Sequence, residues 1–214
     1  WFASYGYCED IDVPLLCCKN YLDFFTNKWT IVSETSVETF HVYNFILWRS
    51  DEYKKYIIAF PGTNEILELL YEGILMKLVD YGGDNNIKLV KYFKELAFEL
   101  REIIFTKEVL DDINAHPGYQ LIATGHSLGG AIASVFLYDG VTKGYIDAEL
   151  NEPVLITFGQ PRTGNEDFVV DFNRKIKNVL RIVRDGDIVV SLPYSLINNP
   201  YRHLGGLILL NKDM

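Results

Sequence analysis

The chain reads as an α/β protein: a central, mostly parallel sheet flanked by helices, with a serine raised on a sharp turn after a central strand. Three observations predict this. Strand-like apolar runs alternate with helix-period segments through the second half of the 214 residues. The segment Gly125-His126-Ser127-Leu128-Gly129-Gly130 is entered by an apolar run, Leu121-Ile122-Ala123-Thr124, and left by another from Ala131 to Tyr138. With 49% hydrophobic residues and no Pro/Ser-rich linker or internal repeat, the chain can bury one large core, so one domain over residues 1–214 is expected, both ends being open to truncation.

Residues 39–48 and 55–60 are rich in β-branched and aromatic types and flank the polar stretch Arg49 to Lys54, which predicts a hairpin of adjacent antiparallel strands. From Asn86 to Asn114 the positions Leu89, Phe93, Leu96, Leu100, Ile103 and Ile104 mark a long amphipathic helix, stopped by His116-Pro117-Gly118. A strand at 120–124 leads to the turn at Ser127. The helix after it, 128–139, is apolar on every face and should be buried. A buried strand Val154 to Phe158, a helix from about Glu166 to Lys177 and a strand Val179 to Val183 complete the alternation.

The chemistry suggested by this layout is nucleophilic. A serine hydroxyl needs a base within reach of its Oγ, and a strand-to-helix elbow lifts it clear of the sheet into the positive end of a helix dipole. Glycines at 125 and 129 allow the crossing to be tight, since a side chain there would meet neighbouring backbone. In the chain order that goes with such an elbow, an acid and then a histidine follow the serine. His41 and His116 precede it, and His126 adjoins it with its side chain expected to point away into the packing under the elbow. His203 remains. Nine carboxylates lie between Ser127 and His203, but only Asp185 and Asp187 stand just past the end of a buried strand, where a sheet presents reactive groups. Asp185, in Asp185-Gly186-Asp187, reads more naturally as a turn residue. For an oxyanion, the elbow offers the Leu128 N–H, and Phe60-Pro61-Gly62-Thr63-Asn64 after a strand offers Thr63.

Composition excludes other classes. A net charge of −9 and a pI near 4.9 leave no basic stripe for nucleic acid. Apolar stretches are broken by charges well short of the ~18 residues a membrane span needs, so the protein is expected to be soluble or interfacial. No histidine stands near Cys8, Cys17 and Cys18, which argues against zinc, and no metal or organic cofactor is expected. Those cysteines fit either one disulfide from Cys8 to Cys17 or Cys18, or three thiols in a reducing compartment. The compartment is accordingly extracellular or, alternatively, cytoplasmic.

The chain resembles the class 3 lipase family, the α/β-hydrolases typified by secreted fungal triacylglycerol lipases and by feruloyl esterases. The resemblance is carried by Ala59-Phe60-Pro61-Gly62-Thr63, by Thr124 to Ala131, by Thr157-Phe158-Gly159-Gln160-Pro161-Arg162-Thr163-Gly164-Asn165, by Asp187 to Pro193 and by Tyr201-Arg202-His203-Leu204-Gly205-Gly206, in the family's order. It implies an α/β-hydrolase fold, a triad of Ser127, Asp187 and His203, and an oxyanion hole at Thr63 and Leu128. It also implies a lipid or small-molecule ester as substrate, met at a lipid–water interface. The family usually has arginine at Pro61 and proline at Val190, and its Val-His-x-Gly-Phe segment is not recognisable near Val79 to Gly83. The resemblance further places a lid at the start of the stretch 65–79, which is equally readable as a helix and strand packed on the core.

Overall fold

In a computed structural model, residues 28–38, 42–63, 77–83, 86–194 and 200–211 are described. Cys8, Cys17, Cys18, His41, Asn64 and the lid stretch through Met76 lie outside them.

The elements are β1 (Thr30–Glu38), β2 (Val42–Ser50), β3 (Lys55–Phe60), β4 (Leu78–Asp80), β5 (Lys88–Val90), α1 (Lys91–Ile104), α2 (Lys107–Ala115), β6 (Gln120–His126), α3 (Leu128–Thr142), β7 (Val154–Phe158), α4 (Glu166–Lys175), β8 (Asn178–Arg184) and β9 (Gly206–Leu210). Seven strands form one sheet in the order β1-β2-β3-β6-β7-β8-β9. The first three are antiparallel, and β3, β6, β7, β8 and β9 run parallel. The expected hairpin is β2–β3, closed where Ser50 pairs with Lys55.

The long helix expected from Asn86 to Asn114 is a strand and two helices. Lys88–Val90 pairs with Leu78–Asp80 as a small second sheet. The helical stretch then breaks at Phe105, and Thr106 opens α2 by accepting the Val109 N–H at 3.4 Å. A threonine competes for backbone donors and so favours a cap over a helix interior, which the apolar periodicity alone conceals. In α4, Asn165 accepts the Phe168 N–H at 3.1 Å, with Glu166 and Asp167 in the first turn and Arg174 and Lys175 in the last, matching the helix dipole at both ends.

Helix α3 is buried from Leu128 through Gly140, as its all-round apolarity requires. It sits against the centre of the sheet, where Phe136 packs on Phe60 (ring centroids 5.0 Å) and stacks on Phe105 (4.8 Å). One polar cluster closes this layer: buried Asp139 accepts from the Tyr81 hydroxyl and from Arg101 at 2.5 Å each. A carboxylate is tolerated there because both its oxygens are bonded. The rigid central layer fixes the β6–α3 junction, and with it Ser127.

Candidate active site

Ser127 joins β6 to α3 at φ 54°, ψ −123°, a left-handed conformation that a residue with a Cβ adopts only under strain of about 1–3 kcal/mol. The strain is held by packing. A Cβ on Gly125 would stand 2.3 Å from the Gly129 carbonyl carbon, and one on Gly129 would stand 2.1 Å from the Phe60 oxygen. Both glycines are needed because backbone crosses backbone, as the spacing predicts. The Ser127 N–H donates to the Phe158 carbonyl at 2.8 Å, tying the elbow to β7. Ser127 is 4% exposed, and its Oγ is buried with no hydrogen-bond partner among the described residues.

The same crossing positions the oxyanion candidates. The Phe60 and Pro61 carbonyls lie directly against Gly129, so the Phe60–Thr63 loop runs beside the first turn of α3. There the leading N–H groups, that of Leu128 among them, lack intrahelical acceptors. Thr63 is half-buried on that loop.

Asp187 follows β8 through a turn in which its N–H donates to the Arg184 carbonyl at 3.1 Å. Its Oδ1 accepts the Val189 N–H at 2.9 Å, leaving Oδ2 to face inward. Oδ2 lies 2.9 Å from where a Gly159 Cβ would stand, and His126 Nε2 lies 3.6 Å from that point. Gly159 therefore works as a window: at φ 57° it both makes the turn and lets the carboxylate approach the elbow. Asp185 is exposed and, among the described residues, only its backbone is engaged, donating to the Leu210 carbonyl at 2.8 Å. His126 departs from expectation. It is exposed rather than tucked beneath the elbow, because the end of β6 turns its ring over Gly159 toward Asp187. The packing under its ring lowers its pKa below the ordinary histidine value, with Asp187 opposing.

His203 lines the same cleft as Asp187 but is not hydrogen-bonded to it or to Ser127. Its Nε2 donates to the Val190 carbonyl at 2.7 Å, and its Nδ1 is buried without a partner among the described residues. Burial first, then the charges of Arg181 and Arg162, push its pKa down to about 4 against the bond to Val190. The ring is thus neutral at pH 7, with its proton on Nε2. The structure brings Ser127, Leu128 and the Thr63 loop together and sets Asp187 beside the elbow, while His203 stays bound to the Asp187 loop.

Two residues not singled out by the chemistry hold this end of the sheet. Gln160 accepts from Thr157 Oγ1 at 2.7 Å and donates to Thr163 Oγ1 at 2.9 Å, fully buried. The Arg162 N–H donates to the Leu192 carbonyl at 2.7 Å and its Nη1 to the Pro193 carbonyl at 3.1 Å, clamping the loop that carries Asp187. Their signal in the sequence was the Thr157–Asn165 segment, whose polar residues follow a buried strand.

A parallel sheet with a strained serine at a strand-to-helix elbow, backbone donors beside it and a carboxylate after a later strand defines an α/β-hydrolase site. The family model for lipase (class 3) matches residues 57–196, and the chain belongs to that family. It is similar to a lipase of Caenorhabditis elegans (29% identity over 150 residues, 67% of this chain and 39% of the relative). It is also similar to a lipase of Rhizopus niveus (31% over 152 residues, 70% of this chain and 38% of the relative). Among solved structures, a Rhizomucor miehei triacylglyceride lipase superposes with a TM-score of 0.79 at 25% identity, covering 97% of this chain and 76% of that one. A triacylglycerol lipase described as having a serine protease triad at its catalytic centre gives 0.78 at 25%, with the same coverage. The chain spans about two fifths of the length of these curated relatives.

Proposed function

We propose that the protein is a carboxylic ester hydrolase acting on acylglycerol-type lipids through an acyl-Ser127 intermediate. The observation that carries this is Ser127 itself: a strained, buried hydroxyl with no partner among the described residues, at the N-terminus of a buried helix. A nucleophile paid for in backbone strain points to a site kept for chemistry. Ser127 Oγ attacks the ester carbonyl as its proton passes to an imidazole. The oxyanion is met by the Leu128 N–H and by Thr63. The alcohol leaves with the imidazole's proton, and water then cleaves the acyl-enzyme by the same route. Asp187 is the acid that orients the imidazole, supported by the inward face of its Oδ2.

His203 is the base in this reading, which requires the ring to leave the Val190 carbonyl and its proton to move to Nδ1, so that a bare Nε2 meets Ser127 Oγ. One observation favours a second reading of the base. Asp187 faces the elbow and His126, whereas His203 is spent on Val190. In that case His203 is structural and Ser127 works with a different imidazole.

A lipidic substrate, met at a lipid–water interface, is favoured over soluble aryl or short acyl esters by membership of a lipase family. No nucleic-acid partner is proposed, in keeping with the net charge of −9. Among the described residues no helix is long and apolar enough to cross a membrane. An extracellular site of action accords with the resemblance to secreted fungal lipases. The deciding experiment is labelling by a fluorophosphonate with and without Ser127→Ala. A label lost in the variant supports the nucleophile, and a label kept there, or absent from the native protein, refutes it. Activity that jumps when an ester exceeds its solubility separates a lipase from an esterase for soluble substrates.

A further inference from the structure

Behind the loop that carries Asp187, the β8–β9 edge of the sheet holds a cleft of about 430 Å³. Side chains alternate along a strand, so Arg181 and Val183 of β8 share one face with Leu207 and Leu209 of β9, and these four floor the cleft. His203 and the loop from Gly186 to Ser191 wall it.

The floor is unusual in charge. Arg181 is 7% exposed. Its Nε donates to the Leu204 carbonyl at 2.6 Å, while Nη1 and Nη2 meet no acceptor among the described residues. Arg162, of the same sign, opposes its charge, and both guanidinium groups bear on His203. A buried guanidinium without a counter-charge is costly, and its two free donors form a fork that matches one carboxylate. The β9 side of the cleft is apolar, with Leu207 and Leu209 each 56% exposed, while Arg184, Asp185, Asp187 and Ser191 line its loop side. A small inorganic anion would satisfy Arg181 and leave the two leucines in water.

We propose that this cleft binds an aliphatic carboxylate, its two oxygens taken by Nη1 and Nη2 of Arg181 and its alkyl chain lying along Val183, Leu207 and Leu209. Arg181 pairs with Thr157, and Thr157 with Gly125, so the site stands two strands, roughly 10 Å, to the side of the elbow. Asp187 and His203 wall it, so a ligand here lies behind the proposed acid and base rather than against Ser127. The proposal needs no turnover and so stands apart from the reading of Ser127, although the acid released by ester cleavage belongs to this ligand class.

The test is calorimetric titration of the full chain carrying Ser127→Ala with decanoate, decanol and sodium phosphate in parallel. Decanoate should bind saturably at one site, at least tenfold more tightly than decanol or phosphate. Arg181→Gln should weaken it at least tenfold. Because that change also removes the tie to Leu204, a second variant is needed. Leu207→Glu, at an exposed position in register with Arg181, supplies a carboxylate within the chain and should abolish decanoate binding while the circular dichroism spectrum is unchanged. Absent decanoate binding, equal binding of decanol, or binding that survives Leu207→Glu overturns the proposal. Phosphate binding as tight as decanoate overturns the aliphatic part and leaves an anion site of another kind.

Discussion

Gly129→Ala tests the geometry of the elbow most directly, because the collision it causes is with the backbone of two successive residues, Phe60 and Pro61. The added methyl would stand 2.1 Å from the Phe60 oxygen and 2.6 Å from the Pro61 oxygen. A carbon and an oxygen without a hydrogen bond need more than 3 Å, so either α3 or the Phe60–Thr63 loop must move by about 1 Å. Overpacking of this kind costs about 1–3 kcal/mol, and the upper end applies where no flexible side chain can yield. For a chain of this size about 3 kcal/mol lowers Tm by roughly 6–12 °C. The same movement displaces Thr63 and the first turn of α3, and a misplacement of about 1 Å is enough to cost on the order of 100-fold in turnover. Gly130→Ala is the matched control. Its methyl would meet the Thr157 and Gln160 Cβ atoms at 3.1 and 3.2 Å, which a shift of a few tenths of an ångström relieves. Thermal melts and hydrolysis of a chromogenic acyl ester should therefore rank native, Gly130→Ala and Gly129→Ala in descending order on both measures. A Gly129→Ala protein that melts within a degree of native and keeps full activity would refute the close crossing of α3 over the loop.

Ser127→Ala should lower turnover by on the order of 10⁶ and leave the melt intact; a variant that keeps a tenth of the activity would remove Ser127 from the chemistry. Asp187→Asn should cost far more activity than Asp185→Asn, since Asp185 is exposed and, among the described residues, engages only its backbone; the reverse ranking would move the acid to Asp185. His203→Ala should abolish activity if His203 is the base, and near-native turnover would instead establish the structural reading. His203 also sets a pH dependence of stability: with its folded pKa near 4 and an unfolded value of about 6.5, the unfolded chain takes up a proton that the folded one refuses. Stability should be full above pH 6.5, fall as pH drops toward 4 and level off below it, by roughly 3 kcal/mol at most, and urea melts of His203→Gln across this range should lack that component. Equal slopes in the two proteins would place the His203 pKa elsewhere.

What the sequence determined by itself was whatever depends on near neighbours in the chain. The turn at Ser127, the need for Gly125 and Gly129, the β2–β3 hairpin and the buried α3 all follow from local pattern and from steric limits acting over a few residues. The break at Phe105 was missed because the apolar stripe of α1 runs on past the threonine that ends its register. The strand β9 was missed because its apolar run is short and its side chains are exposed, so periodicity gave no burial signal. The tertiary structure alone decided the relations between groups distant in sequence. It placed the Phe60–Thr63 loop on Gly129 and Asp187 behind the opening left by Gly159. It turned His126 outward, bound His203 to the Val190 carbonyl and left the donors of Arg181 facing a cleft. Motif order can name a serine, an acid and a histidine, but whether their atoms meet depends on how loops at the strand ends fold back. That is set by a few hydrogen bonds and close approaches whose partners lie tens of residues apart.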